Sequence, residues 1–185
     1  DDGDGLELHL GNTLSPITAT PKRRTIGLAP GARHFTKRWP ADRYRELAQR
    51  LSNDDGARIV LFGGADDRSA CASIAEGLQD VVNLAGRTTL LESAAACDSC
   101  DVVVTNDSVM SHIASARRRP VIAIFGSTVQ QFGFAPFRTP STVVESVGLY
   151  CRPCTSIGRS ECPEKHFRCM LDIAPEAVLS ALRLR

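Results

Sequence analysis

Apolar residues in this chain fall in short dense runs, separated by stretches with helical spacing. The clearest run, Asp101–Thr105 (DVVVT), is β-branched and apolar, as a strand buried on both faces should be. Asn106–Asp107–Ser108 breaks it with three side chains that favour turns and helix N-caps. Val109–Ala116 is helical in character, and Arg117–Arg119 place positive charge where the C-terminal dipole accepts it. Pro120 stops the helix, and Val121–Phe125 is a second buried strand ending in Gly126–Ser127–Thr128. A βαβ unit of this kind sets the N-terminus of its helix at the carboxyl end of a parallel sheet.

The same alternation runs through the rest of the chain. Thr25–Ala29 is the first strand and opens into a basic loop, PGARHFTKRWP. Pro40 then starts a helix whose apolar face is Tyr44, Leu47, Ala48 and Leu51, and Asn53–Gly56 closes it. Arg58–Phe62 is the second strand, followed by Gly63–Asp67 and a helix to about Glu76. Val81–Leu84 is a shorter third strand, and Thr89 with Glu92 has capping-box spacing before the helix LLESAAAC. After a loop rich in Phe, Gly and Pro (Gln130–Pro140) come a sixth strand at Thr142–Val147 and a terminal helix from Pro175. Residues 1–24 are polar and lack a sustained period, which reads as a linker or the end of a preceding domain. Residues 25–185 therefore predict an α/β domain: a Rossmann-like parallel sheet with helices on both faces.

In such a sheet four loops meet at the carboxyl edge: Pro30–Trp39, Gly63–Asp67, Asn106–Met110 and Gly126–Thr128. The first brings Lys37 and Arg38, the second two carboxylates after a glycine pair, and the others backbone amides with hydroxyls. Lysine plus helix-terminal amides suits a diphosphate, and a carboxylate nearby suits ribose hydroxyls. Asp107 is equally explained as a helix cap, and His112 as a core histidine bonded to a backbone carbonyl. No G-x-G-x-x-G follows the first strand, which disfavours a nicotinamide or flavin cofactor, and there is no P-loop lysine motif.

Composition narrows the classes further. At 43% hydrophobic and 23% charged the chain is globular, and its net charge of +1 gives no basis for binding nucleic acid or an anionic membrane. No apolar run approaches the roughly 20 residues of a transmembrane helix, and no signal peptide is recognisable, so a cytoplasmic protein is expected. Seven cysteines, an odd number, argue against a disulfide framework. Cys151-x2-Cys154-x7-Cys162-x6-Cys169 occupies an irregular loop, 151–169, that needs something to hold it. A tetrahedral zinc site with His166 as a substitute ligand fits that spacing, and so do packed thiols, disulfides or a cluster. Cys97 and Cys100 read as core packing.

Six segments, in order, resemble one family: PGARHFTKRWP, LFGGADD, LAGRTTLLESAAA, VVTNDSVMSHIASA, RPVIAIFGST and CRPC…CPEKHFRCMLDIAPEAV. From roughly Thr25 onward the chain is similar to the C-terminal half of glycosyltransferase family nine, the ADP-heptose:lipopolysaccharide heptosyltransferases. The resemblance implies one half of a GT-B enzyme, the half that holds the nucleotide-sugar donor, with the acceptor site and an aspartate base on the other. It implies donor contacts from Gly31 and Lys37, from Asp66 or its neighbour Asp67 near the ribose, and from Asp107, Ser108, Val109 and His112 over the diphosphate. Val109 stands where the family usually has glycine, and a branched side chain there is expected to crowd the phosphate. The implied reaction is inverting transfer of heptose from ADP-heptose to a lipopolysaccharide core acceptor. It requires no cofactor for catalysis, and the full-length enzyme would be cytoplasmic or peripheral at the inner membrane. A GT-B transferase or epimerase using a different nucleotide-sugar, or a non-catalytic nucleotide-binding module, fits the same residues.

Overall fold

The computed structural model describes residues 5–18 and 23–184. Their strands are β1 Thr25–Ala29, β2 Arg58–Leu61, β3 Val81–Asn83, β4 Val102–Asn106, β5 Val121–Phe125 and β6 Ser141–Glu145. All pair in parallel in one sheet of order β3-β2-β1-β4-β5-β6. The chain thus builds outward from β1 to one edge, returns to β4, and builds outward to the other. This is the expected Rossmann-like architecture, with the reversal of strand order lying between β1 and β4.

Helices cover both faces, which is why β1, β4 and β5 are buried throughout while edge strands β3 and β6 are half-buried. On one face α1 (Ala41–Asn53), α2 (Arg68–Ala75) and α6 (Pro175–Arg183) pack against Ile26, Leu28, Ile59, Leu61, Val102 and Ile122. On the other, α3 (Leu90–Cys97) and α4 (Val109–Ala116) pack against Val60, Phe62, Val103, Val121 and Phe125. The alternation of strand residues between the two cores follows from the period of two along a strand. Gly27 faces the second core: a Cβ there would lie 2.9 Å from the Phe62 ring and 3.2 Å from Cys100 Sγ, so only glycine leaves that ring its place. Cys97 and Cys100 are buried in this core, as expected of packing residues, and burial pushes the Cys97 thiol up to about 12.

Several elements differ from expectation in instructive ways. Pro40 occupies the N-cap of α1 rather than its first turn, and its carbonyl accepts from the N–H groups of Arg43 and Tyr44. Arg117 does more than meet the dipole of α4: its guanidinium forks onto Asp98 at 2.9 and 2.5 Å, tying the ends of α3 and α4 together. A short helix, α5 (Arg168–Leu171), lies between β6 and α6, where the sequence shows no helical period. Within the stretch expected as a linker, residues 5–18 form no helix or strand, yet Ile17 is buried and Leu8 and Leu10 pack on the α3–α4 core. Residues 1–4 and 19–22 of that stretch lie outside the described residues. No helix among the described residues is long and apolar enough to cross a membrane.

Candidate functional site

At the carboxyl edge, over the reversal between β1 and β4, the described residues enclose an open cleft of about 970 Å³. Gly31, Lys37, Asp66, Asp107, Ser108, Val109 and His112, the seven residues expected at a donor site, all line it. The loop 126–128 stands behind the wall instead. Ser127 and Thr128 are fully buried, and each finds a partner inside, as buried hydroxyls must. Ser127 Oγ donates to Thr36 Oγ1 at 3.0 Å, and Thr128 Oγ1 donates to Asp107 Oδ2 at 2.7 Å.

The charge in the cleft centres on one ion pair. Lys37 ends a 3₁₀ turn, Phe35–Lys37, and its Nζ lies 2.6 Å from Asp107 Oδ2 and 5.7 Å from the centre of the Phe134 ring. Their side chains are only 12% and 3% exposed, so solvent and salt screen this pair far less than a surface one. Asp107 is therefore not the helix cap. Ser108 holds the N-cap position of α4 with extended backbone and no side-chain cap bond, its hydroxyl lying 3.0 Å from Thr105 Oγ1. The carboxylate turns back to Lys37 because a charge this buried needs a charged partner. The first N–H groups of α4 have no intrahelical partner and lie at the cleft, where they favour an anion.

Asp66 and Asp67 take separate roles. Asp67 Oδ2 accepts from the Gly64 N–H at 2.9 Å and packs on Gly31, where a Cβ would come within 2.4 Å of it. A side chain at 31 would thus have to displace the Asp67 carboxylate, and Asp66 remains exposed at the rim. His112 sits on the cleft wall half-buried, not in the core. Val109 is 59% exposed at the start of α4 with no left-handed backbone, so valine fits there without strain.

Two parts of the site carried no expectation. Thr88 and Thr89, just before α3, and Leu90 and Ser93, in its first turns, form a further wall. The edge rule that selects the other loops selects this one too, because it follows the third strand, Val81–Asn83. Phe134 and Ile157 close the cleft from irregular loops whose sequences show no period.

The cysteine-rich loop braces the Lys37 loop from outside. Thr36 N–H donates to the Arg159 carbonyl at 3.1 Å, and Arg159 N–H donates back to Thr36 Oγ1 at 2.8 Å. Phe35 stacks on Phe167 at 4.7 Å, and Cys154 N–H reaches the Ser127 carbonyl at 3.2 Å. These contacts fasten the loop that carries Cys151, Cys154, Cys162 and Cys169 to the Lys37 loop. Among the described residues no set of three or more His, Cys, Asp or Glu side chains is placed to hold a metal ion. Cys151 Sγ lies 3.8 Å from His166 Nε2, and Cys169 is buried, its thiol pushed up to about 11 by that burial and by the neighbouring Cys154, Cys162 and Cys151. Alkylation of the native protein at about pH 8 is expected to label Cys151, Cys154 and Cys162 and to spare Cys71, Cys97, Cys100 and Cys169, whose burial keeps them protonated and covered. Peptide mapping that finds Cys169 labelled as fast as Cys151 would contradict this packing.

The sequence profile of glycosyltransferase family 9 (heptosyltransferase) matches residues 5–166. Lipopolysaccharide heptosyltransferase 2 of Escherichia coli strain K12 is 32% identical over 176 residues, 92% of this chain and 49% of that protein. Lipooligosaccharide heptosyltransferase 2 of Haemophilus influenzae is 34% identical over 167 residues, 87% of this chain and 47% of that protein. The solved structure of E. coli ADP-heptose LPS heptosyltransferase II superposes with a TM-score of 0.73 at 31% identity, covering 89% of this chain and 47% of that one. The chain spans about half the length of the curated relatives it matches.

Proposed function

The chain belongs to glycosyltransferase family 9, the heptosyltransferases, and on that premise we propose that it is the donor-holding half of an enzyme that moves heptose from ADP-heptose to a lipopolysaccharide core acceptor. The observation that carries this reading is the buried Lys37–Asp107 pair beside the N-terminus of α4, inside a cleft of nucleotide size. In the proposed reaction an acceptor hydroxyl oxygen attacks the anomeric carbon from the face opposite the diphosphate. The bond from that carbon to the diphosphate oxygen breaks, the configuration inverts, and ADP leaves. The proton goes to a base supplied by the other half of the enzyme. Lys37 and the free amides of α4 face the negative charge that grows on the diphosphate, and because they are held in place beforehand they stabilise it without reorganising. Asp66, exposed at the rim while Asp67 is engaged with Gly64, is the carboxylate that would take the ribose hydroxyls in this reading. The full-length enzyme would act in the cytoplasm, against the inner membrane where a lipid-linked acceptor is presented.

Calorimetric titration of the 185-residue chain tests the reading. ADP is expected to bind more tightly than UDP, and weakly in absolute terms, since half of the cleft belongs to the other domain. A preference for UDP would replace the donor, and sugar transfer by this chain alone would place the base here instead.

A further inference from the structure

Asn106 ends β4 with none of its surface in contact with solvent. Sequence propensity makes it a turn residue, yet it stays in register opposite Ile124 and turns its carboxamide into the protein. Oδ1 accepts from the Trp39 N–H at 3.1 Å and the Tyr44 hydroxyl at 3.3 Å. Nδ2 donates to the Pro30 carbonyl at 2.7 Å and the Gly31 carbonyl at 3.4 Å. The orientation of the amide is fixed by its partners, because a backbone N–H only donates and a carbonyl only accepts.

Pro30 and Trp39 are the two ends of the loop that carries Lys37. The residue after Asn106 is Asp107, which holds Lys37 in the middle of that loop. Consecutive side chains at one strand end therefore grip a single loop at both ends and at its functional residue. We propose that Asn106 is a positioning residue: by pinning the ends of the 30–39 loop together, its amide sets the point at which the Lys37 ammonium meets Asp107 and faces a nucleoside diphosphate. The proposal rests on reading the cleft as a diphosphate site. The chemistry admits few substitutes. Aspartate would set a carboxylate against the Pro30 and Gly31 carbonyls, and leucine would leave the Trp39 N–H and both carbonyls without this partner.

The test is a double-mutant cycle on the whole chain with ADP as probe, using Asn106→Asp, Lys37→Ala and the two combined. If Asn106 acts through Lys37, the single variants lose affinity alike, each by about 10- to 100-fold, and the double variant binds no more weakly than Lys37→Ala alone. Losses that multiply would overturn the proposal, since Asn106 would then act on the site independently of Lys37. A second arm needs no ligand. Trypsin should cut after Arg33, Lys37 or Arg38 faster in Asn106→Asp than in the wild type, while the thermal transition of the sheet core stays cooperative. Unchanged cleavage would also overturn the proposal. Where Asn106→Asp does not fold, Asn106→Ser, which removes the pin without adding charge, takes its place in both arms. A wild type that does not bind ADP would refute the diphosphate reading, and cleavage would still decide whether Asn106 sets the loop.

Discussion

Trp39→Ala is expected to destabilise the fold by about 3–5 kcal/mol, the range for truncating a large buried aromatic. Trp39 is 1% exposed and meets Tyr44 edge to face at 4.9 Å. Its indole N–H donates to the Ile173 carbonyl at 3.0 Å, just before α6. The ring thus joins three parts of one core: the end of the Lys37 loop, the first turns of α1, and the connection into α6. Alanine would leave a cavity among rigid neighbours and strand the Ile173 carbonyl, and these losses add. Trp39→Phe separates them, because it keeps most of the volume and loses the hydrogen bond, for about 1–3 kcal/mol. Denaturant unfolding measures both. A cost below about 1.5 kcal/mol for Trp39→Ala would mean that the cavity collapses and that the joint is softer than its burial implies.

The sheet was legible in the sequence because parallel strands buried on both faces leave unbroken β-branched and aliphatic runs, such as Val102–Val104 and Val121–Phe125. Alternation of those runs with helices then fixes the strand class, and the edge rule fixes which loops can meet a ligand. What sequence could not resolve are roles decided by partners distant in the chain. Asn106 and Asp107 have the propensities of a turn and a cap, and local chemistry offers nothing against that reading. Their positions are set by Trp39, Tyr44 and Lys37, whose hydrogen bonds and charge in a dry interior outweigh local preference. The cysteine loop shows the same limit. Its spacing carries a metal signal, and the contacts that fasten it to the Lys37 loop, Thr36 on Arg159 and Phe35 on Phe167, come from residues with no mutual signature in sequence. Val109 reverses the lesson: it departs from the family pattern, yet it starts a helix with ordinary backbone and leaves the fold unstrained.

Lys37→Ala is expected to weaken ADP binding by about 1.5–3 kcal/mol, the range for losing a charge-assisted hydrogen bond. The geometry adds a second effect of the same sign. Asp107 would keep the Thr128 hydroxyl but lose its cation, leaving a carboxylate that is 3% exposed to face an incoming diphosphate. Repulsion between like charges at a poorly solvated site then opposes the ligand directly. Removing that charge as well should recover part of the loss, so Lys37→Ala/Asp107→Ala is expected to bind ADP more tightly than Lys37→Ala alone. Because the pair is sheltered, the penalty should also persist in added salt that would screen a surface contact. Titration of the variants at low and high ionic strength decides it. A double variant weaker than Lys37→Ala would show that Asp107 serves the ligand itself rather than the lysine. A loss for Lys37→Ala that disappears in salt would show that the ammonium acts from solvent, outside the buried pair.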